Sequence, residues 1–207
     1  MRLVNQDEQR LISELERFGV LRKMDGHRLG DTVFCVCGDK DRRKDIFGFH
    51  DRKFREAHNG RSFDSQDVKP HGGPINLVYA PPDIFPLAVE REAVKRFCLY
   101  QLAVGLIAKD LARVDLVLHW PCGQLLLWGL DLKQSLEFFA ASTEVVKRDL
   151  LPIAEKVAER AGKLAPSEIE VATHCHFDFG GEGEMQTWNF CNGLWAMHKD
   201  RVLAAVA

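Results

Sequence analysis

Val114-Asp115-Leu116-Val117-Leu118-His119-Trp120-Pro121-Cys122-Gly123 is the stretch on which the reading of this chain turns. Val114 to Leu118 is a short run of mostly apolar, partly β-branched residues, the pattern of a strand buried on both faces of a parallel sheet. It runs directly into His119-x-x-Cys122, so two side chains of metal-binding type leave the strand at its carboxyl end. Pro121 stiffens that turn, and Gly123 lets the backbone bend away.

A second run of the same kind lies upstream. Thr32-Val33-Phe34-Cys35-Val36-Cys37-Gly38 is bounded by Asp31 and Gly38 and reads as another buried strand, with Cys37 at its end. Further strands are expected at Ile75 to Tyr79, Glu168 to Phe179 and Met185 to Phe190. Helical spacing marks Asn5 to Phe18, about 86–112, about 132–162 with Leu151-Pro152 as a point of breakage, and Leu194 to Ala205. Asp39 to Gly60 is polar and reads as loop with some helix.

Strands alternating with helices argue for βαβ units, hence an α/β three-layer fold with a central, mostly parallel sheet flanked by helices. At 207 residues the chain reads as a single domain, 1–207, with an N-terminal helical extension over about residues 1–28. That helix suits packing on the domain or on a partner subunit. Ligands of such sheets bind beyond the carboxyl ends of the strands. Two adjacent parallel strands would therefore bring Cys37 and His119 together.

Composition narrows the function classes. With 46% hydrophobic and 28% charged residues the chain is of globular, not disordered, type. A net charge of −2 gives no electrostatic reason to expect nucleic acid or an anionic membrane as partner. The basic runs Arg42-Arg43-Lys44 and Arg52-Lys53-Phe54-Arg55 read as solvated surface. No secretory leader and no apolar span of ~20 residues is visible, so a cytoplasmic location is the default. There, six cysteines are better read as thiols and metal ligands than as disulfides.

Zinc favours thiolate and imidazole ligands in tetrahedral geometry. His119 and Cys122 supply two and Cys37 a third. Asp39, two residues on, is a possible fourth ligand or a hydrogen-bond partner for a metal-bound water. On the residues alone a second interpretation stands level with this one: both cysteines as small buried hydrophobes and His119 as a hydrogen-bonded core histidine. Cys35 shares a face with Cys37 by parity and is an alternative ligand. His174, His176 and Asp178 also share a face, a spacing suited to a second metal, although strand histidines beside a turn are more often surface or interface residues. Cys98, Cys191, Trp188 and Trp195 read as core. Trp120 either walls an apolar pocket or covers the sheet end, and Gly180 to Gly183 is a turn.

The two ligand motifs resemble those of the β-class carbonic anhydrases. Val33-Phe34-Cys35-Val36-Cys37-Gly38-Asp39 is similar to that family's strand and Cys-x-Asp motif. Val117-Leu118-His119-Trp120-Pro121-Cys122-Gly123 is similar to its strand and His-x-x-Cys-Gly motif. His71-Gly72-Gly73 resembles a worn version of the loop between them, and the strand Ile169 to Asp178 the family's closing strand. The resemblance implies a Zn2+ cofactor and reversible hydration of carbon dioxide to bicarbonate by a zinc-bound hydroxide, with Asp39 and Arg42 as catalytic residues. It also implies a homodimer or higher homo-oligomer. The chain departs from the pattern in two places. The family's arginine falls on Asp41, with Arg42 one place late, and the polar stretch 43–69 is long, suggesting a lid or an interface. The displaced arginine favours the rival expectation, a non-catalytic zinc-binding relative with a structural or partner-binding role.

Overall fold

β4, Arg113–Trp120, is buried at every one of its residues and is the strand around which the sheet is built. In the computed structural model, which describes residues 3–38, 40–70, 72–180 and 186–206 and only the backbone of 40–44, it lies third from one edge. The others are β1 (Leu21–Lys23), β2 (Thr32–Cys35), β3 (Ser65–Val68), β5 (Glu170–Phe177) and β6 (Gln186–Phe190), in the order β1-β6-β5-β4-β2-β3. β3, β2, β4 and β5 pair in parallel, whereas β6 runs antiparallel to both β5 and β1. The architecture is α/β, a six-stranded mixed sheet flanked by helices.

Alternation along the strands sorts side chains to two faces. Val33 and Cys35 of β2 and Val114, Leu116 and Leu118 of β4 point to a large apolar core. Helices α3 (Ala88–Lys109) and α5 (Leu132–Ala161) complete it with residues such as Leu102, Leu106, Phe139 and Leu150. Phe34, Val36 and Val117 point the other way, against Ile46 of α2 (Lys40–Ala57). At helical spacing Ile46, His50 and Phe54 are all buried and form the inner face of α2.

α5 begins at a capping box, Asp131 with Gln134, and ends on Gly162 in left-handed conformation. It runs straight through Pro152, against the expected break. Pro152 is exposed, and the carbonyl its ring deprives of a partner is one turn back on the outer surface. The N-terminal helix α1 (Gln6–Arg17) opens with the Asn5–Glu8 capping box and packs into the main core through Leu11, Ile12 and Leu15. Trp188 on β6 donates its indole N–H to Glu16 at 2.7 Å, and α1 also meets the closing helix α6 (Asn192–Ala204). Trp188 and Trp195 are core, as expected, while Cys191 is half-buried.

Ile75 to Tyr79 is not a strand. Gly73–Leu77 forms a 3-10 turn, entered through Gly72 and Gly73 at φ +88° and +63° with Pro74 at its start. A short apolar run looks the same in either state, and the left-handed glycines and the proline decide it. Two strands escaped the sequence reading, β1 and the polar edge strand Ser65-Gln66-Asp67-Val68. The stretch 43–69 supplies most of α2 and all of β3. Arg52 and Arg55 face solvent. Among the described residues no helix is long and apolar enough to cross a membrane.

Candidate metal centre

Parallel pairing of β2 with β4, Cys35 opposite Leu116, sets the two strand ends side by side. Cys37 lies just past β2, His119 in the last turn of the pleat of β4, and Cys122 just past it, at the start of the short helix α4 (Gly123–Leu127). One ligand atom from each of the three lies within 4.8 Å of the others. The Cys37 and Cys122 sulfurs are 3.7 Å apart. The three side chains are 4%, 2% and 1% exposed, in chain order.

The loop before Pro74 closes on the Cys37 sulfur. Gly72 donates its backbone N–H to the Cys37 sulfur at 3.4 Å. A Cβ on Gly73 would stand 3.1 Å from the Cys37 nitrogen, and one on Gly72 would strike the Trp128 ring at 2.5 Å. Both glycines also have positive φ, so this backbone can approach the sulfur only because neither carries a side chain. Gly123, by contrast, starts a helix in open space and needs no special freedom. The turn between His119 and Cys122 is made by Trp120-Pro121, whose peptide bond is cis. Trp120 itself is buried in the main core.

His119 is buried with neither ring nitrogen hydrogen-bonded among the described residues. A core histidine without a partner is costly, and among the described residues none supplies the hydrogen bond of the core-histidine alternative. The Cys122 thiol is pushed far above the ordinary thiol range, first by the Cys37 thiol beside it and then by burial, with the Gln124 and Leu125 amides working against both. A divalent cation between the sulfurs would invert that balance. The donor set, two thiols and an imidazole converging in a buried place, fits zinc. Cys35 stands outside the group, fully buried in the apolar core, where burial raises its thiol well above the usual range and Cys98 and Cys37 add to it. Asp39 lies outside the described residues, as does the Arg42 side chain, with that of Asp41.

A second convergence lies on the α2 face of the same strands. His50 of α2, Asp115 of β4 and His174 of β5 are buried and also offer ligand atoms within 4.8 Å of one another. Asp115 Oδ1 accepts from Arg113 Nε at 2.7 Å and Thr32 Oγ1 at 3.2 Å, and Oδ2 faces His174 Nε2 at 3.2 Å. Burial would raise this carboxyl, but the His174 and Arg113 contacts outweigh it and hold it well below the usual carboxylate range. Burial and, after it, the neighbouring His174 ring push His50 well below the ordinary imidazole value.

His174 and His176 are thus interior residues. β5 is flanked by β4 and β6, and α2 closes the face they point to, which the sequence reading did not foresee. They do not form a set with Asp178, whose Oδ1 accepts from the Gly180 amide at 3.0 Å, while His176 Nδ1 lies 2.6 Å from Thr187 Oγ1. Two members of the second group were missed. Asp115 was legible as a carboxylate inside an otherwise apolar strand. His50 was legible from the Ile46, His50, Phe54 spacing, once the segment is taken as helix. Compared with protein-family models, with curated proteins and with solved structures, the chain matches none.

Proposed function

We infer that Cys37, His119 and Cys122 hold a zinc ion and that the protein catalyses reversible hydration of carbon dioxide, in the manner of the β-class carbonic anhydrases its two motifs resemble. One observation carries the reading. A buried imidazole, with neither nitrogen partnered among the described residues, lies within 4.8 Å of two thiols whose sulfurs are 3.7 Å apart, at the carboxyl ends of adjacent parallel strands. A zinc ion bound there supplies Lewis acidity and water activated near neutral pH. Cys37 and Cys122 bind as thiolates, His119 as a neutral imidazole. Gly72 steadies the Cys37 sulfur through its N–H, and Gly73 keeps the loop close without filling the space beside it. Asp39 and Arg42 are the residues assigned to orient the nucleophile and to hold that carboxylate. The burial of all three ligands favours a second reading, a zinc site serving structure alone.

Zinc content and turnover separate these. On this proposal Cys122→Ser lowers the zinc content by one equivalent and brings stopped-flow carbon dioxide hydration down to the buffer rate, and Arg42→Ala lowers turnover with zinc retained. Zinc content unchanged by Cys37→Ser or Cys122→Ser would sink the site. Wild-type hydration no faster than Cys122→Ser at any pH would leave only the structural reading.

A further inference from the structure

We propose that the chain carries a second metal site, in which His50, Asp115 and His174 hold a buried divalent transition ion of zinc's class that fastens α2 to the sheet. This does not rest on the reading of the thiolate site. His50 is fully buried and neither of its ring nitrogens has a hydrogen-bond partner among the described residues. Its ring stands edge-on to Phe34 and to His174, both with centroids 5.0 Å away. An imidazole placed only to fill that space would be better replaced by an apolar ring, as Phe47 and Phe63 show around the same Phe34.

The remaining ligands are already set as a metal needs them. In tetrahedral zinc sites, with Zn–N and Zn–O near ~2.0–2.2 Å, neighbouring ligand atoms lie about 3.3–3.5 Å apart; Asp115 Oδ2 and His174 Nε2 are at 3.2 Å. Metal-binding histidines commonly donate their second N–H to an oxygen that fixes the ring. His174 Nδ1 is 3.1 Å from Asn189 Oδ1. Without an ion Nε2 donates to Asp115, as the lowered carboxyl requires. With Nδ1 holding the proton of a neutral ring, Nε2 and the carboxylate would both be free to face a cation between them. The other Asp115 oxygen is held by Arg113 and Thr32, which fixes the carboxylate but also sets a guanidinium beside the site. That positive charge opposes a cation here, but Glu170, 2.6 Å from Arg113 Nη1, partly offsets it.

Two imidazoles and a carboxylate suit zinc, cobalt(II) or iron(II). With His50 and Asp115 fully buried and His174 nearly so, the ion is enclosed and serves the fold. What it fastens matters, because α2 begins at Lys40, just past Cys37. The second ion would thereby anchor the segment that leads away from the thiolate site.

The test is metal content of the full chain, expressed in zinc-supplemented medium and measured by plasma mass spectrometry on folded, monodisperse protein. Two equivalents are expected. His50→Phe, which suits its aromatic surroundings, should remove one, and Cys122→Ser should remove the other. The Cys37→Ser/Cys122→Ser variant expressed with cobalt should show the weak visible bands of nitrogen and oxygen coordination, without thiolate charge transfer. One equivalent in the wild type, lost in Cys122→Ser and untouched by His50→Phe, overturns this proposal and leaves the thiolate site standing. The converse pattern does the reverse. Absence of cobalt from the double cysteine variant also overturns it, showing His50, Asp115 and His174 to be an ion pair and a buried ring only.

Discussion

The two faces of the sheet are equally buried and chemically opposite. Toward α3 and α5, β4 presents Val114, Leu116, Leu118 and Trp120, which join a large apolar core. Toward α2 the same strand presents Asp115, Val117 and His119, with His174 and His176 on the strand beside it. The apolar face is held by area removed from water, which no single residue dominates. The α2 face is held by specific partners, and each polar group there is only as good as the contact that satisfies it. Most of the buried polar groups of these strands lie on the second face, while Cys37 and Cys122 belong to the core of the first.

The sharpest way to break that division is Asp115→Ala. It strips Arg113 and Thr32 of their shared acceptor and leaves a nearly buried guanidinium facing a cavity. Removing one member of a buried pair costs about 3–5 kcal/mol, read as the shift in a denaturant unfolding curve. Replacing both members, Asp115→Leu with Arg113→Met, converts the spot into something like the opposite face and should cost less than Asp115→Ala alone. A cost below about 1 kcal/mol for the single change would mean that the α2 face does not depend on its partners.

Leu106→Ala probes the other face. Leu106 on α3 is fully buried in the main core, so the change removes packing and opens a cavity, at about 2–5 kcal/mol. No charge is involved, and the loss should be the same in low and high salt. A salt-dependent loss would show that charged groups of the α2 face contribute to the stability of the apolar one.

The same contrast explains what could be read in advance. β4 and the main helices were legible because a run such as Leu116-Val117-Leu118, or apolar residues at helical spacing, carries its own periodicity. Cys37 and His119 were brought together on paper by a topological rule about strand ends, and the β2–β4 pairing does bring them together. The 3-10 turn at Gly73–Leu77 was misread because five residues of Gly-Pro-Ile-Asn-Leu hold too little pattern to choose a state. β3 was missed because an edge strand, Ser-Gln-Asp-Val, need not be apolar. The second cluster depends on strand register, which sets His174 beside Val117, and on a helix laid across both strands. Neither relation is written in local sequence, although the aspartate at 115 was a visible anomaly.

The smallest effect belongs to the surface, where an ion pair has neither face's advantage. Asp149 on α5 meets Arg148 at 2.6 and 2.8 Å and Lys95 of α3 at 3.2 Å, with a quarter of its side chain exposed. The Arg148 hydrogen bonds, more than Lys95 and against the slight burial, bring its carboxyl down to about 2. A lowered carboxyl stabilises the fold fully above its unfolded value of about 3.9, and loses that contribution as the pH falls toward the folded value. Solvent screening trims the effect, so Asp149→Asn should cost under about 1 kcal/mol at neutral pH. The cost should shrink in high salt and vanish as the pH approaches about 2. Measured beside Asp115→Ala, it asks how much of an ion pair's worth comes from the pair and how much from its burial. A loss at Asp149 as large as that at Asp115 would assign it to the pair, and the distinction between the α2 face and ordinary surface would go with it.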